Sequence, residues 1–230
     1  MIKLKSLYHK YLNIKYLNKS YSQEGEDLIV NRLFSCKTKG FYVDVGSHHP
    51  LRFSNTMLFY QLGWKGINIE PNSDQFELFI KYRKRDINLN IGISNKCDIL
   101  KYFKFNEPAL NTFCQEEASL KNKKPYQIVE TIELEVKKLS DVLDSYLPEG
   151  QEIDFLSIDV EGLEVSVLQS NDWDKYLPSV LIIEILRTSF DDLQNSEIFQ
   201  FVISKGYVLH SKLCNSHIFV YQSCFKIFNL

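Results

Sequence analysis

The sequence predicts an α/β fold: a mostly parallel sheet with helices on both faces and an antiparallel C-terminal edge. Three observations lead there. Short apolar runs alternate with segments of helical periodicity through most of the chain, the order expected of a sheet between two helix layers. The runs are apolar on successive residues and do not alternate with polar ones, as strands buried on both faces require. The chain closes with two short strand-like runs, Tyr207 to His210 and His217 to Tyr221, near enough to pair antiparallel.

Each element has its own local reason. Ser22 can cap a helix running to about Phe34, with Leu28, Ile29 and Leu33 on its inner face. Gly40 releases the chain into Phe41-Tyr42-Val43-Asp44-Val45-Gly46, a buried parallel strand with one carboxylate near its end. Pro50 to Leu62 reads as helical, Gly63 and Gly66 bracket a turn, and Ile67-Asn68-Ile69-Glu70-Pro71 is a second strand. Asn72 or Ser73 caps the next helix, whose inner face is Phe76, Phe79 and Ile80. Lys81, Arg83, Lys84 and Arg85 at its end complement the negative pole of the helix dipole. Ile87 to Ile93 is a third strand.

The pattern then changes. Lys101 to Phe105 and Val129 to Lys137 pair as a hairpin-like insertion, and the polar span from Asn106 to Gln127 between them has weak periodicity, as a lid or substrate loop would. The insertion occupies about residues 95–137. Beyond it come a short helix from Ser140 to Leu147, a strand from Ile153 to Asp159 and a helix from Leu163 to Leu168. The strand from Ser179 to Leu186 is apolar apart from Glu184; a helix from Ser196 to Ser204 and two edge strands after Gly206 complete the chain.

The 230 residues form one domain, 21–230, behind an extension of residues 1–20. Residues 2–19 are basic and amphipathic, with no acid before Glu24. They suit a peripheral helix packed on the domain or on a second copy in a homodimer, or peripheral contact with an anionic membrane. A net charge of −2 disfavours a nucleic-acid partner. The five cysteines, odd in number and without close pairs, read as reduced, mostly buried thiols of a cytoplasmic protein. No apolar run reaches the ~20 residues of a membrane span, and Lys3, Lys5, His9 and Lys10 interrupt any secretory signal.

Acids mark the strand ends. Asp44, Glu70, Asp159 and Glu184 each sit at or near the end of an apolar strand. Acids are seldom buried without a partner, so four on one rim point to a site. A single glycine, Gly46, follows the first of them, where a dinucleotide pyrophosphate calls for a run of glycines. A nucleoside without phosphates fits better. Glu70, 26 positions after Asp44 on the neighbouring strand, can accept hydrogen bonds from both ribose hydroxyls.

Seven stretches then fall into a known order: SQEGEDLIV (22–30), FYVDVGSHHPLRFSNT (41–56), GWKGINIEP (63–71), RDINLNIGIS (85–94), EPALNTF (107–113), IDFLSIDVEGLEVSVL (153–168) and LIIEIL (181–186). Together they resemble the FkbM family of S-adenosylmethionine-dependent methyltransferases. The resemblance implies a class I methyltransferase fold, a Rossmann-like three-layer sandwich around a seven-stranded sheet. It places Asp44 and Gly46 at the cofactor turn, Glu70 at the ribose, and Ile93 and Ser94 beside the adenine. It brings Gln23, Glu24 and Asp27 towards the methionine end, with Ser54 and Asn55 as further cofactor contacts. The single glycine departs from class I methyltransferases that carry more glycines in this motif.

Methyl transfer is an in-line displacement in which the protein must align the acceptor and handle its proton. Asp159, in Ser157-Ile158-Asp159-Val160-Glu161-Gly162, is the first choice for general base or metal ligand. Glu161, two positions on, and Glu184, on the adjacent strand, can join it around one Mg2+, which prefers oxygen ligands. His48 and His49 are further candidate bases. Asn111, Thr112 and Phe113, in the insertion, are candidate acceptor contacts, with Glu161 lining the same site. FkbM-like proteins include enzymes for polyketide hydroxyls and surface-polysaccharide sugars, and the Lys, Asn and Ile content resembles that of an AT-rich bacterial genome. The expected function is therefore O-methylation of a small-molecule or nucleotide-linked sugar in capsule or lipopolysaccharide biosynthesis. The rivals are an N-methyltransferase, methylation of a polyketide or other small-molecule hydroxyl, and an inactive cofactor-binding subunit; a nucleotide-sugar dehydrogenase is the most distant, lacking its glycine-rich loop.

Overall fold

The computed structural model describes residues 17–228. The predicted helix over 2–19 lies outside them except for its last residues, and Leu17 to Ser20 have no regular structure. The main sheet is built from β1 (Phe41–Val45), β2 (Lys65–Ile69), β3 (Ile87–Leu89), β7 (Phe155–Ile158), β8 (Val180–Glu184), β9 (Tyr207–Lys212) and β10 (Ser216–Tyr221). Their order is β3-β2-β1-β7-β8-β10-β9, and only the two contacts of β10 are antiparallel. This is the seven-stranded arrangement the class I resemblance implies. The chain leaves β1 for β2 on one side and returns to β7 on the other, so a crevice opens between the carboxyl ends of β1 and β7.

The interior strands are buried along nearly their whole length because both faces are covered. One face carries Val43, Val45, Ile67, Ile69, Leu156 and Ile183 against Leu139 and Val142 of α5 (Leu139–Tyr146) and Val167 and Leu168 of α6 (Glu164–Ser170). The other carries Tyr42, Phe155, Ile182 and Ile218 against Phe59 of α2 (Met57–Gln61) and Val30 of α1 (Glu26–Leu33). Among the described residues no helix is long and apolar enough to cross a membrane.

Several expectations need correction. α1 begins at Glu26 because the Ser22 hydroxyl is engaged by the Asp27 carboxylate and amide. The helix expected over Pro50–Leu62 shrinks to α2; His48 and Phe53 have positive φ, and the intervening chain is loop. The third strand stops at Leu89, while β4 (Gly92–Ile93) joins β5 (Asp98–Phe105) and β6 (Ile128–Lys137) in a separate three-stranded sheet. The lid span holds α4 (Gln115–Lys121) and a 3-10 turn at Pro108–Leu110. β10 is interior to the sheet, between β8 and β9. Ile80 of α3 (Ser73–Tyr82) is exposed, and only Phe79 of its predicted inner face is buried. Of the cysteines only Cys224 is buried; Cys36, Cys97 and Cys214 are exposed and all are free thiols.

Arg83 is the largest departure. It stands at the C-cap of α3, but its side chain is wholly buried and turned to other partners. Its guanidinium donates to Asp86 (3.0 Å), to the Tyr42 hydroxyl (3.0 Å), to Thr56 Oγ1 (2.6 Å) and to the Pro50 carbonyl (3.1 Å). Asp86 also accepts from Tyr42, Asn68 and the Gly66 amide. The Thr56 hydroxyl in turn donates a hydrogen bond to Asp44 Oδ2 at 2.9 Å. One fully satisfied cation thus holds the base of β1, the loop after it and the start of α2 together.

Removing one member of a buried ion pair strands the other, at a cost of about 3–5 kcal/mol. Arg83→Met is therefore expected to lower the unfolding free energy by about that amount in urea titrations, whereas Lys84→Ala, an exposed neighbour, should change it by less than ~0.5 kcal/mol.

Candidate active site

Strand register assembles the site. Val45 pairs with both Ile69 and Ile158, and Ile158 pairs with Ile183. The residues that follow, Gly46, Glu70, Asp159 and Glu184, therefore emerge at one height. The junctions are tied by backbone bonds: Gly46 N to Ile69 O (3.0 Å), Asp159 N to Val45 O (3.0 Å) and Glu70 N to Leu89 O (3.0 Å). Gly46, at φ 77°, is dictated by this closeness, because a Cβ there would lie 1.7 Å from the Asp159 carbonyl. The first constraint on this glycine is therefore strand-to-strand contact.

A cavity of about 420 Å3 opens above this rim, within the size range of small-molecule pockets. Of the residues singled out from sequence, Gln23, Asp44, Gly46, His48, Asn55, Glu70, Ile93, Asn111, Thr112, Phe113, Asp159, Glu161 and Glu184 line it. Ser54, Ser94 and His49 do not. The Ser54 hydroxyl accepts from Met57 N and starts α2. Ser94 is buried with its amide bound to Lys137 O. His49 Nδ1 accepts from Leu51 and Arg52 amides at 3.0 Å, which makes it a turn cap. Glu24 and Asp27 also turn away from the cavity: Glu24 accepts from the Asn215 and Ser216 amides, and Asp27 from Ser20, Tyr21 and Ser22.

On the β2 side, Glu70 is buried and accepts from His48 N (2.7 Å) and Asn72 N (2.8 Å). Burial still pushes it up to about 8. Burial raises Asp44 to about 6, opposed by the Thr56 hydroxyl and the Arg83 charge. Asn55 donates to Ser157 Oγ at 3.1 Å, which leaves its buried Oδ1 without a partner.

On the β7 side, carboxylate oxygens of Asp159, Glu161 and Glu184 all lie within 4.8 Å of one another. Burial first, and then the charges of Glu184 and Glu161, push Asp159 well above the usual carboxylate range. Burial and then the Glu161 charge raise Glu184 to about 8, opposed by its hydrogen bond with Asp159. Lys121 pairs with Glu161 and lies 3.7 Å from Glu117. Glu164 receives the Val160 and Gly162 amides and so closes the loop that carries these acids. His48 is held neutral: burial, Arg52 and His49 lower it to about 4.

The non-glycine residues with positive φ among the described residues are His48, Phe53, Glu161 and Arg187, and all four line the cavity. Such backbone costs about 1–3 kcal/mol per residue and concentrates at functional sites. Sequence reasoning missed Phe53 and Arg187, along with Arg52, Tyr102, Lys121 and Asn215, which also line the cavity. Only the matched string LRFSNT carried a signal for the first pair of neighbours, Arg52 and Phe53. The insertion is fastened over the cavity by Arg52 to Glu107 (2.8 Å), Thr112 Oγ1 to Glu161 O (2.8 Å), Lys121 to Glu161 and Arg187 to Glu117.

The family model for the methyltransferase FkbM domain matches residues 44–209 of this chain. Among solved structures the chain is similar to a TehB-like SAM-dependent methyltransferase from Corynebacterium glutamicum, at 8% identity and a TM-score of 0.42, over 95% of this chain and 97% of that one. It is also similar to Precorrin-6y C5,15-methyltransferase from Geobacter metallireducens GS-15, at 11% identity and a TM-score of 0.44, over 89% of this chain and 92% of that one. No curated protein matches it.

The buried acids make stability depend on pH. A carboxyl whose pKa folding raises keeps a proton that the unfolded chain has already lost, so its contribution is full below about pH 4 and is lost as pH rises. His48 and His217, both lowered to about 4, act in the opposite sense, and only below about pH 6.5. Between these limits and pH 8 the acids set the trend. The melting temperature of the ligand-free protein should therefore fall from about pH 6.5 to pH 8, and Glu70→Gln should flatten that slope in scanning calorimetry.

Proposed function

The chain belongs to the FkbM methyltransferase family, whose methyl donor is S-adenosylmethionine, and from that premise we propose an O-methyltransferase that acts on a hydroxyl of a sugar or glycoconjugate. The observation that carries this reading is the rim itself: Glu70 on one side of β1, and Asp159 and Glu184 on the other, level with one another and lining one cavity. The donor set suits the cofactor. The buried Glu70 carboxylate has acceptor capacity beyond its two amide bonds for a vicinal diol, and Asp44, Asn55 and Gln23 line the cavity beside β1. When bound, the cofactor supplies a methyl carbon activated by a sulfonium, with a neutral thioether as leaving group.

The protein's part is positioning and proton transfer. An alcohol attacks only as its O–H bond breaks, so a base must receive that proton as the O–CH3 bond forms and the S–CH3 bond breaks. Asp159 takes this role in our reading. It acts in its ionised form, and burial and the neighbouring acids that raise its pKa make that form a stronger base than an exposed aspartate. His48, held near 4, is the weaker base and serves better as a wall. Asn111, Thr112 and Glu161 hold the acceptor from the insertion side. The carboxylates of Asp159, Glu161 and Glu184 also suit one hard cation such as Mg2+, which when bound would acidify a hydroxyl. The same acidic surroundings favour, as second reading, an amine acceptor and N-methylation.

Bacterial surface polysaccharide is the setting we infer, on the strength of composition and resemblance. Calorimetry should give S-adenosylmethionine binding, and product mass on candidate nucleotide-linked sugars should rise by one methyl group. No binding would end the methyltransferase reading, and a mass gain that survives EDTA would end the metal variant. Glu70→Gln is expected to weaken cofactor binding about tenfold or more. Asp159→Asn is expected to cut kcat by roughly 10²–10⁴-fold while cofactor affinity holds; near-normal turnover would refute Asp159 as base.

A further inference from the structure

We propose that the insertion is part of the cofactor site, and that Tyr102 and Phe113 form the aromatic wall against which the purine of the nucleoside lies. The proposal rests on the reading that Glu70 holds the ribose. It changes the assignment of Phe113 from an acceptor contact to a cofactor contact, and it adds Tyr102, which sequence reasoning passed over.

The topology places these rings there. β3 is hydrogen-bonded to β2, and only two residues after β3 ends the chain enters β4, the first strand of the insertion's own sheet. The insertion therefore grows out of the Glu70 side of the rim. Gly92 in β4 has no side chain, and a Cβ there would lie 2.6 Å from Phe113 Cζ, so the Phe113 ring packs directly on the β4 backbone. Tyr102 on β5 packs against it with ring centroids 4.6 Å apart. Tyr102 is only 3% exposed, yet it lines the cavity. Its phenol is raised by burial and then by the charge of Glu70, which lines the same cavity. Ile91 and Ile93 line the same end.

A slot with aliphatic and aromatic walls and one carboxylate matches a flat heteroaromatic base joined to a vicinal diol. It does not match a sugar acceptor, which must reach Asp159 across β1.

The test uses 5′-methylthioadenosine, which has the nucleoside without the amino-acid arm, together with S-adenosylhomocysteine. In the intact chain, hydrogen exchange over residues 98–113 should slow when methylthioadenosine binds. Tyr102→Leu and Phe113→Leu should each weaken both ligands by a common factor, about tenfold, while Tyr102→Phe stays close to the starting protein. Unchanged affinity for both ligands in the two leucine variants, or unchanged exchange in the intact chain on saturation, overturns the proposal. Failure of the unmodified protein to bind either ligand overturns the cofactor reading beneath it. The exchange measurement needs no variant, so a variant that fails to fold does not shelter the idea.

Discussion

The level register of β2, β1, β7 and β8 is the constraint on which the rest depends. Strands buried on both faces have no room for carboxylates along their length, so acids belong where the strands stop and loop amides become available. Because Val45 faces both Ile69 and Ile158, and Ile158 faces Ile183, those stopping points coincide. A slip of one residue in any pairing would turn that strand's side chains to the opposite face and scatter the acids. Gly46 enforces the same arrangement from within, since the β1 turn touches the Asp159 carbonyl and tolerates no Cβ.

Gathering acids in this way is costly, and the molecule carries the cost openly. Glu70 and Glu184 are pushed to about 8, and Asp159 is also raised, because burial and mutual repulsion disfavour their charged forms. Four residues around the cavity hold left-handed backbone that favours glycine. Their strain is offset by the core beneath and by two buried polar assemblies. Arg83 with Asp86, Tyr42 and Thr56 reaches Asp44 from below. Glu164 with the Val160 and Gly162 amides shapes the loop after Asp159.

The insertion joins this rim in place of hanging free. Its ties run to three loops: Arg52 after β1, Glu161 after β7 and Arg187 after β8. The Arg52–Glu107 pair is partly exposed and so contributes little stability. The Lys121–Glu161 pair is largely shielded and sits where the acid cluster needs a counter-charge. Charge neutralisation at the rim and closure of the lid are in this sense one interaction.

The alternation of strands and helices, the antiparallel pairing near the C-terminus and the four acids at strand ends were legible in the sequence, because burial on two faces leaves an apolar signature that a carboxylate interrupts visibly; the position of β10 inside the sheet was not. The same local logic misread Arg83 as a helix-terminal cation, since exposure is not a local property, and Ser54 and Ser94, which the resemblance brought towards the cofactor, do not line the cavity. Tyr102, Lys121 and Arg187 carried no pattern of their own; each matters through residues far along the chain. What the sequence by itself determined is which segments must be buried and where a charge must escape them. Which charges meet, which cation is buried with them and which rings wall the cavity was decided only by the tertiary structure, because these are distances between residues that chain connectivity leaves free and strand register sets.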